Sequence, residues 1–504
     1  MAVLVLAGVL AGCVRPWPGG ISSSPATALP AQDQPAGDER ALQDATATPF
    51  PARKPGSPVD TPTPDAPHAL PTAPSEEQSY TVQPNDSLGL ISRRFNVDLQ
   101  SLIDANQLDN PDALEVGQVL RIPPPDLSQI GPDFKILPDS ELVAGPASAD
   151  FDAQAFIAAK NGYLSRYEGE IDDDTFSGAQ ILVRVSREYS VNPRLLLAVL
   201  EYETGWVTRK DVPDESRDYP VGLIDPARKG LYKQLAWAAN NLNLGYYLWR
   251  ANAVSYWLLA DQTVAPVAPT INAGTAGVQH MLAMLWGRED WEKAVGPEGL
   301  QATYWKLFGY PFDYTVEPLL PKKLKQPRMQ LPFADGDVWS FTGGPHGGWG
   351  DGSGWAAIDF APPGDALGCV ENDAWVTAVA NGVIVRSDHG VVLLDLDGDG
   401  KEQTGWVVLY LHIATAVRVK FGKIVQAGDR IGHASCEGGV SNGTHVHLAR
   451  RYNGEWIPAD GSLPFNLDGW VSEGAGVEYN GFLKKDGQSI EAWDRRLPEN
   501  QIER

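Results

Sequence analysis

Cysteine is scarce in this chain: three in 504 residues, at positions 13, 369 and 436. Basic residues are short too, 40 Lys and Arg against 64 Asp and Glu, a net charge of −24. Phosphate backbones repel such a chain, which excludes nucleic acid as a partner. No long hydrophobic run marks a membrane helix. The N-terminal apolar stretch, residues 2–12, is too short to span a bilayer as a stable helix. Histidine is sparse, with eight in all, but it is not evenly spread: His346, His389, His412, His433, His445 and His447 all follow position 340. A length of 504 residues predicts several domains rather than one. The hydrophobic share of 43% is ordinary, whereas 16 Trp is high and suits both cores and the stacking platforms that hold sugar rings.

The apolar run ends in Leu10-Ala11-Gly12-Cys13, which resembles a lipobox, the signal at which a bacterial lipoprotein is cleaved and lipidated on Cys. No Lys or Arg precedes the run, a departure from such signals. The resemblance implies residues 1–13 as a signal and a lipid on Cys13, anchoring an extracytoplasmic chain to a membrane surface and facing the cell wall. An ordinary secretory signal is the alternative, and it too implies export. In that compartment Cys369 and Cys436 are expected to pair, closing a 67-residue loop worth on the order of 4 kcal/mol in the chain-entropy model. Two buried thiols are the alternative. Residues 14–78, rich in Pro, Ala, Ser, Thr and Asp, read as an extended tether.

From residue 79 to 124 the pattern changes. Tyr80-Thr81-Val82 is a short strand; Asp86-Ser87 caps a helix through Phe95; a second helix covers about Asp98 to Asn106; Val119 to Pro123 closes as a strand. This β-α-α-β unit resembles a LysM module, including its Gly117-Gln118 turn. The resemblance implies binding of N-acetylglucosamine-containing glycan between Pro84, Asn85 and Asp86 on one loop and Asn106, Gln107 and Leu108 on another. Residues 125–148 read as a second linker.

Residues 149–320 read as mostly helical. Asn192 and Pro193 start a helix that Gly205 ends. Leu196, Val199, Leu200 and Glu203 share one face, so an apolar stripe ends in a carboxylate. Such a Glu has its pKa raised, which suits a general acid for glycosidic cleavage. Leu196 to Trp206, Asn243 to Leu248 and Ile271 to Gly274 are similar to stretches of lysozyme-like lytic transglycosylases, with Thr204 where Ser is usual. The resemblance implies Glu203 as a catalytic acid; a merely paired carboxylate is the alternative.

Residues 321–340 read as a connector, 341–480 as a β-rich domain and 481–504 as a tail. Within the domain, Gly443-Thr444-His445-Val446-His447 sets two imidazoles on one face of a strand. With Tyr410-Leu411-His412 and Ala357-Ile358-Asp359-Phe360, it resembles the motifs of LytM/lysostaphin-type zinc endopeptidases. The resemblance implies Zn2+ held by Asp359 and His447, with His412 and His445 as unligated catalytic partners. The family's remaining ligand, four residues before the Asp, is Trp355 here, which cannot ligate. His346, in a glycine-rich loop, is the candidate replacement; a non-catalytic wall-binding relative is the alternative. Asp395, Asp397 and Asp399 have the carboxylate spacing of a Ca2+ loop, but an EF-hand Glu is missing at the twelfth position, so a plain hairpin turn is the competing reading. The expected fold is therefore multidomain α+β: a small β-α-α-β module, a helical lysozyme-like domain, and a C-terminal antiparallel sheet or barrel of the duplicated hybrid-motif type. The expected function is peptidoglycan hydrolysis by a zinc metalloendopeptidase, with peptidoglycan and a membrane surface as partners. A glycan-cleaving enzyme acting through Glu203 and a non-catalytic scaffold remain open.

Overall fold

The computed structural model describes residues 65–504 except 109 and 112; Cys13 and most of the tether lie outside them. In the first unit, strand β1 (Gln78–Thr81) pairs antiparallel with β2 (Val119–Ile122), Tyr80 opposite Leu120. Helices α1 (Leu88–Phe95) and α2 (Leu99–Asn106) lie between them in sequence. The Ser87 hydroxyl accepts the Leu90 amide and the Asp98 carboxylate the Ser101 amide, satisfying donors that each helix start leaves open. Ile91, Leu102 and Leu120 are fully buried in its small core.

The second unit is built on α3 (Ala153–Lys160), α4 (Gly178–Tyr189), α5 (Pro193–Thr204), α6 (Asp214–Asp218), α7 (Leu231–Arg250), α8 (Ala273–Ala283), α9 (Arg288–Ala294) and α10 (Leu300–Phe308). Two hairpins, β3 (Glu168–Ile171) with β4 (Asp174–Ser177) and β5 (Tyr256–Leu258) with β6 (Val264–Pro266), interrupt the helices. Helix α5 starts at the Asn192 cap and stops at Gly205, whose φ of 72° is costly for residues with a Cβ. The 125–148 linker reading needs correction. Ile136, Leu137, Leu142 and Val143 are buried in this core, and the Ile136 amide donates to Thr275 Oγ1 at 2.9 Å. A proline-rich stretch hid an apolar strip that packs beneath α5 and α8.

The third unit is a nine-stranded antiparallel sheet. Its strands are β7 (Val338–His346), β8 (Ala357–Ala361), β10 (Gly382–Asp388), β11 (Val391–Asp395), β12 (Trp406–Leu411), β13 (Ile424–Val425), β15 (Val446–Tyr452), β16 (Glu455–Trp456) and β21 (Gln501–Glu503). The order is β13-β10-β11-β12-β15-β8-β7-β21, with β16 on β15, so the sheet runs open from edge to edge. Smaller pairings join β9 (Trp375–Thr377) to β14 (Arg430–His433), and β17 (Asn466–Leu467), β18 (Trp470–Gly474), β19 (Gly481–Lys485) and β20 (Gln488–Glu491) in series. Two boundaries differ from expectation. The 481–504 tail belongs to the domain, because β19 and β20 extend the small sheet and β21 pairs with β7. Within the 321–340 connector, Met329, Leu331 and Phe333 fill the sheet's core.

All six residues of β12 are buried, as are all five of β11. An apolar run without alternation is what a strand covered on both faces requires. Val392, Leu394, Val408 and Tyr410 enter the sheet's own core. Val391, Leu393, Val407 and Leu409 point the other way, into the core of the helical unit. The helical unit is therefore the second layer of the sheet, not a separately tethered body.

Candidate metal centre

Three neighbouring strands bring the site together. His447 on β15 sits directly opposite Asp359 on β8. Strand β7 pairs with the other edge of β8 through two register shifts, which turn its last residue, His346, toward the same point. The approach is close: a Cβ on Gly343 would lie 2.5 Å from Asp359 Oδ2, so only glycine fits there. His346 Nε2 lies 2.9 Å from His447 Nδ1, and both lie 3.3 Å from Asp359 Oδ1. Ligand atoms around a tetrahedral ion with bonds near 2.0–2.1 Å are separated by about 3.3 Å. All three residues are buried, and Asp359 Oδ1 has no hydrogen-bond donor.

The opposite ring nitrogens are already committed. His346 Nδ1 donates to the Gly344 carbonyl at 2.8 Å and His447 Nε2 to the Gly348 carbonyl at 3.1 Å. The inward nitrogens are thereby left with lone pairs facing one another, which is the arrangement of metal ligands oriented by outer partners. The donor set of two imidazoles and one carboxylate suits zinc. Burial favours protonation of the Asp359 carboxyl, yet the surrounding imidazoles hold it well below the ordinary range. Burial lowers His447 below its usual range; at His346 the same burial effect is outweighed by Asp359, and its net shift is upward.

His412 and His445 stand beside this triangle, their ring centroids 4.5 Å apart. Each donates Nδ1–H to a backbone carbonyl, His412 to Glu437 at 2.9 Å and His445 to Gly443 at 2.7 Å. Their Nε2 lone pairs are left available; His445 Nε2 lies 3.8 Å from Asp359 Oδ2. Burial, with His445 and His447 adding to it, pushes the His412 imidazole down to about 3. Cys369 and Cys436 are bonded, with Cα atoms 5.7 Å apart. The bond ties the loop before β9 to the loop that carries Glu437. Thr444 adds to the tie, its hydroxyl donating to the Val370 carbonyl at 2.6 Å and accepting the Val370 amide at 2.8 Å.

Trp355, which cannot ligate, has its carbonyl bonded by the Ala459 amide at 2.7 Å. Tyr479 was not singled out by the motifs. Its ring stacks on His346 at 4.2 Å between centroids, on a residue with φ of 66°. Beside it, Glu478 Oε1 accepts the Gly347 amide at 3.3 Å. The closest sequence signal was a tyrosine hemmed by glycines, too weak to separate from a turn.

Three other candidate sites lie elsewhere. Glu203 ends the apolar stripe of α5; burial pushes its carboxyl up to about 7, with Trp286 Nε1, 3.3 Å away, partly opposing the shift. In the first unit, Asp86 turns back to accept from the Tyr80 hydroxyl and the Gln83 amide, both at 2.7 Å. Asn106 bonds the amide and carbonyl of Arg121, each at 2.7 Å. Both side chains thus brace the fold, while Pro84, Asn85 and Gln107 stay exposed and Leu108 packs on the core. In the β11–β12 turn the buried Asp395 carboxylate accepts the amides of Asp397, Gly398 and Gly400. A carboxylate oxygen from each of Asp395, Asp397 and Asp399 also lies within 4.8 Å of the others.

Comparison with known proteins finds likenesses over separate parts of the chain. Residues 358–458 match Peptidase family M23, residues 80–123 the LysM domain, and residues 135–321 the N-terminal domain of LasA. The chain is 24% identical over 352 residues to Protease LasA of Pseudomonas aeruginosa, covering 65% of this chain and 76% of that one. It is 28% identical over 173 residues to the beta-lytic metalloendopeptidase of Lysobacter enzymogenes, covering 32% of this chain and 90% of that one. It is 52% identical over 46 residues to the secreted LysM effector ECP6 of Passalora fulva, covering 9% of this chain and 20% of that one.

Proposed function

We propose that this chain is an exported zinc metalloendopeptidase that cleaves peptide stems or cross-links of peptidoglycan, with its LysM unit holding N-acetylglucosamine glycan and Cys13 carrying a lipid anchor. The observation that carries the reading is the triangle of His346 Nε2, His447 Nδ1 and Asp359 Oδ1, each outer nitrogen tied to a carbonyl. A bound zinc supplies Lewis acidity to the scissile carbonyl and lowers the pKa of an attacking water. The chain's own residues do the rest. His412 and His445 present Nε2 lone pairs fixed by their Nδ1–H bonds; with the His412 imidazole pushed down to about 3, His445 is the one that accepts the proton of the attacking water, and His412 stays neutral beside it. The same nitrogen, now protonated, returns that proton to the departing amine. Gly344 and Gly348 keep the two ligand imidazoles in one tautomer throughout.

A second reading rests on Glu203. A carboxyl held near 7 by burial is protonated enough at neutral pH to serve as a glycosidic acid. Digestion of purified wall separates the readings. New free amines support the peptidase; new reducing or anhydro sugar ends, lost in Glu203→Gln, support glycan cleavage. A chain that binds wall but releases neither is a scaffold, and that outcome sinks both.

A further inference from the structure

The loop from Gly347 to Gly354 joins two corners of the metal triangle, running from His346 to the start of β8. One of its carbonyls, Gly348, is the acceptor that orients His447. Gly348 is fixed by Trp456 of β16, a sheet residue that the helical unit in turn holds. A Cβ on Gly348 would lie 2.5 Å from the Trp456 ring, so the loop rests directly on that indole. Trp456 is fully buried and anchored in the helical unit: its amide donates to the Tyr247 hydroxyl at 2.8 Å, and its Nε1 to the Tyr189 carbonyl at 3.4 Å. The loop's far end, Gly354, accepts the Gly348 amide at 3.0 Å and packs on the Tyr247 ring.

The middle of the loop is clamped by one side chain of α7. Asn240 Oδ1 accepts the Gly352 amide at 2.9 Å, and Asn240 Nδ2 donates to Asp351 Oδ1 at 2.7 Å. A Cβ on Gly352 would fall 2.0 Å from the Asn240 carbonyl oxygen, so the loop seats against the helix backbone itself. Glycines at 350, 352 and 354 therefore read as contact points with the helical unit, and Gly348 as one with Trp456 of β16, rather than as slack.

We propose that the helical unit is a working part of the metal centre, with Asn240 and Tyr247 as positioning residues that hold this loop so that Gly348 keeps His447 turned toward the metal. The proposal rests on the zinc reading above. It predicts coupling across the domain boundary: loosening α7's grip weakens metal binding although no ligand is touched. Removal of an outer acceptor of a ligand imidazole typically weakens binding about 10- to 100-fold.

The test uses the full chain, stripped of metal and titrated with Zn2+ against a chromophoric chelator, alongside melting of the metal-free form. Asn240→Ala and Tyr247→Phe weaken zinc about tenfold or more. Lys401→Ala, which removes an ion pair to Asp150 across the same domain boundary, leaves affinity unchanged. The paired exchange Asn240→Asp with Asp351→Asn swaps donor and acceptor and restores affinity. Asn240→Ala decides the matter if Tyr247→Phe fails to fold. Affinity within about twofold of the parent chain for Asn240→Ala overturns the proposal. Equal weakening by Lys401→Ala, or no recovery in the paired exchange, does so as well. A parent chain that binds no zinc sinks the zinc reading instead.

Discussion

Two buried imidazole lone pairs and a carboxylate oxygen, all within 3.3 Å of one another, are a poor arrangement without a cation among them. Each residue is therefore expected to have a distinct effect when removed. His346→Ala leaves two protein ligands where catalytic zinc sites keep three; elemental analysis of the purified variant should find the zinc gone. A variant that keeps one zinc at parental affinity would remove His346 from the site. His412→Ala and His445→Ala should keep their zinc and lose about 10²- to 10⁴-fold in kcat, the range of one general acid or base. Loss of metal in either would show that it is a ligand, and the roles would have to be redrawn. Much of this site was legible as motifs: Asp359, His412, His445 and His447 carry local signatures, and His346 follows from the vacancy at Trp355. Tyr479 was not legible, because its contact with His346 is made by a loop more than a hundred residues away in sequence, with no pattern to mark it.

At the scale of elements, the bulged pairing of β7 with β8 is what aims His346. Gly343 is its tightest point, so Gly343→Ala forces the new methyl against the Asp359 carboxylate. The expected result is weaker zinc binding with secondary structure retained, read by chelator competition and circular dichroism; unchanged affinity would mean that the strands yield there. Individual helices and strands were well marked in the sequence. Caps at Ser87, Asp98 and Asn192 sit where helices start, and the apolar runs of β11 and β12 are strands. The relation between domains was harder to read. A strand with both faces apolar announces two covers but not what supplies the second one, and here it is α4, α7 and their neighbours. The same blindness made 136–143 look like linker and 481–504 look like tail.

For the whole molecule, that second cover has a consequence. Residues 321–504 produced alone would expose Val391, Leu393, Val407, Leu409 and Leu411, now packed against the helical core. Such a patch drives association. The fragment should aggregate or bind an apolar dye, where the full chain does neither; a soluble, monomeric, dye-silent fragment would show that the sheet closes without its cover. The two layers are also joined by charge. Glu402 is buried among Arg386 and Arg451 of the sheet and Arg187 of α4. Burial alone would raise its carboxyl, and the three guanidinium groups overcome that and hold it at about 2. Because its folded value lies below the ordinary 4.5, its stabilisation is present above that pH and lost as pH falls toward 2. Glu402→Gln leaves buried arginines unpaired and should cost about 3–5 kcal/mol at neutral pH. Glu203 has the opposite sign: its folded value is raised to about 7, so it withdraws stability as pH climbs from 4.5 through 7. Melting curves of the two variants against the parent chain should therefore diverge in opposite directions. The Glu402→Gln deficit is full at neutral pH and shrinks in acid. Glu203→Gln matches the parent in acid and gains on it above neutrality. A Glu402→Gln deficit that stays constant down to about pH 2.5 would mean that packing, not the carboxylate charge, joins the two layers.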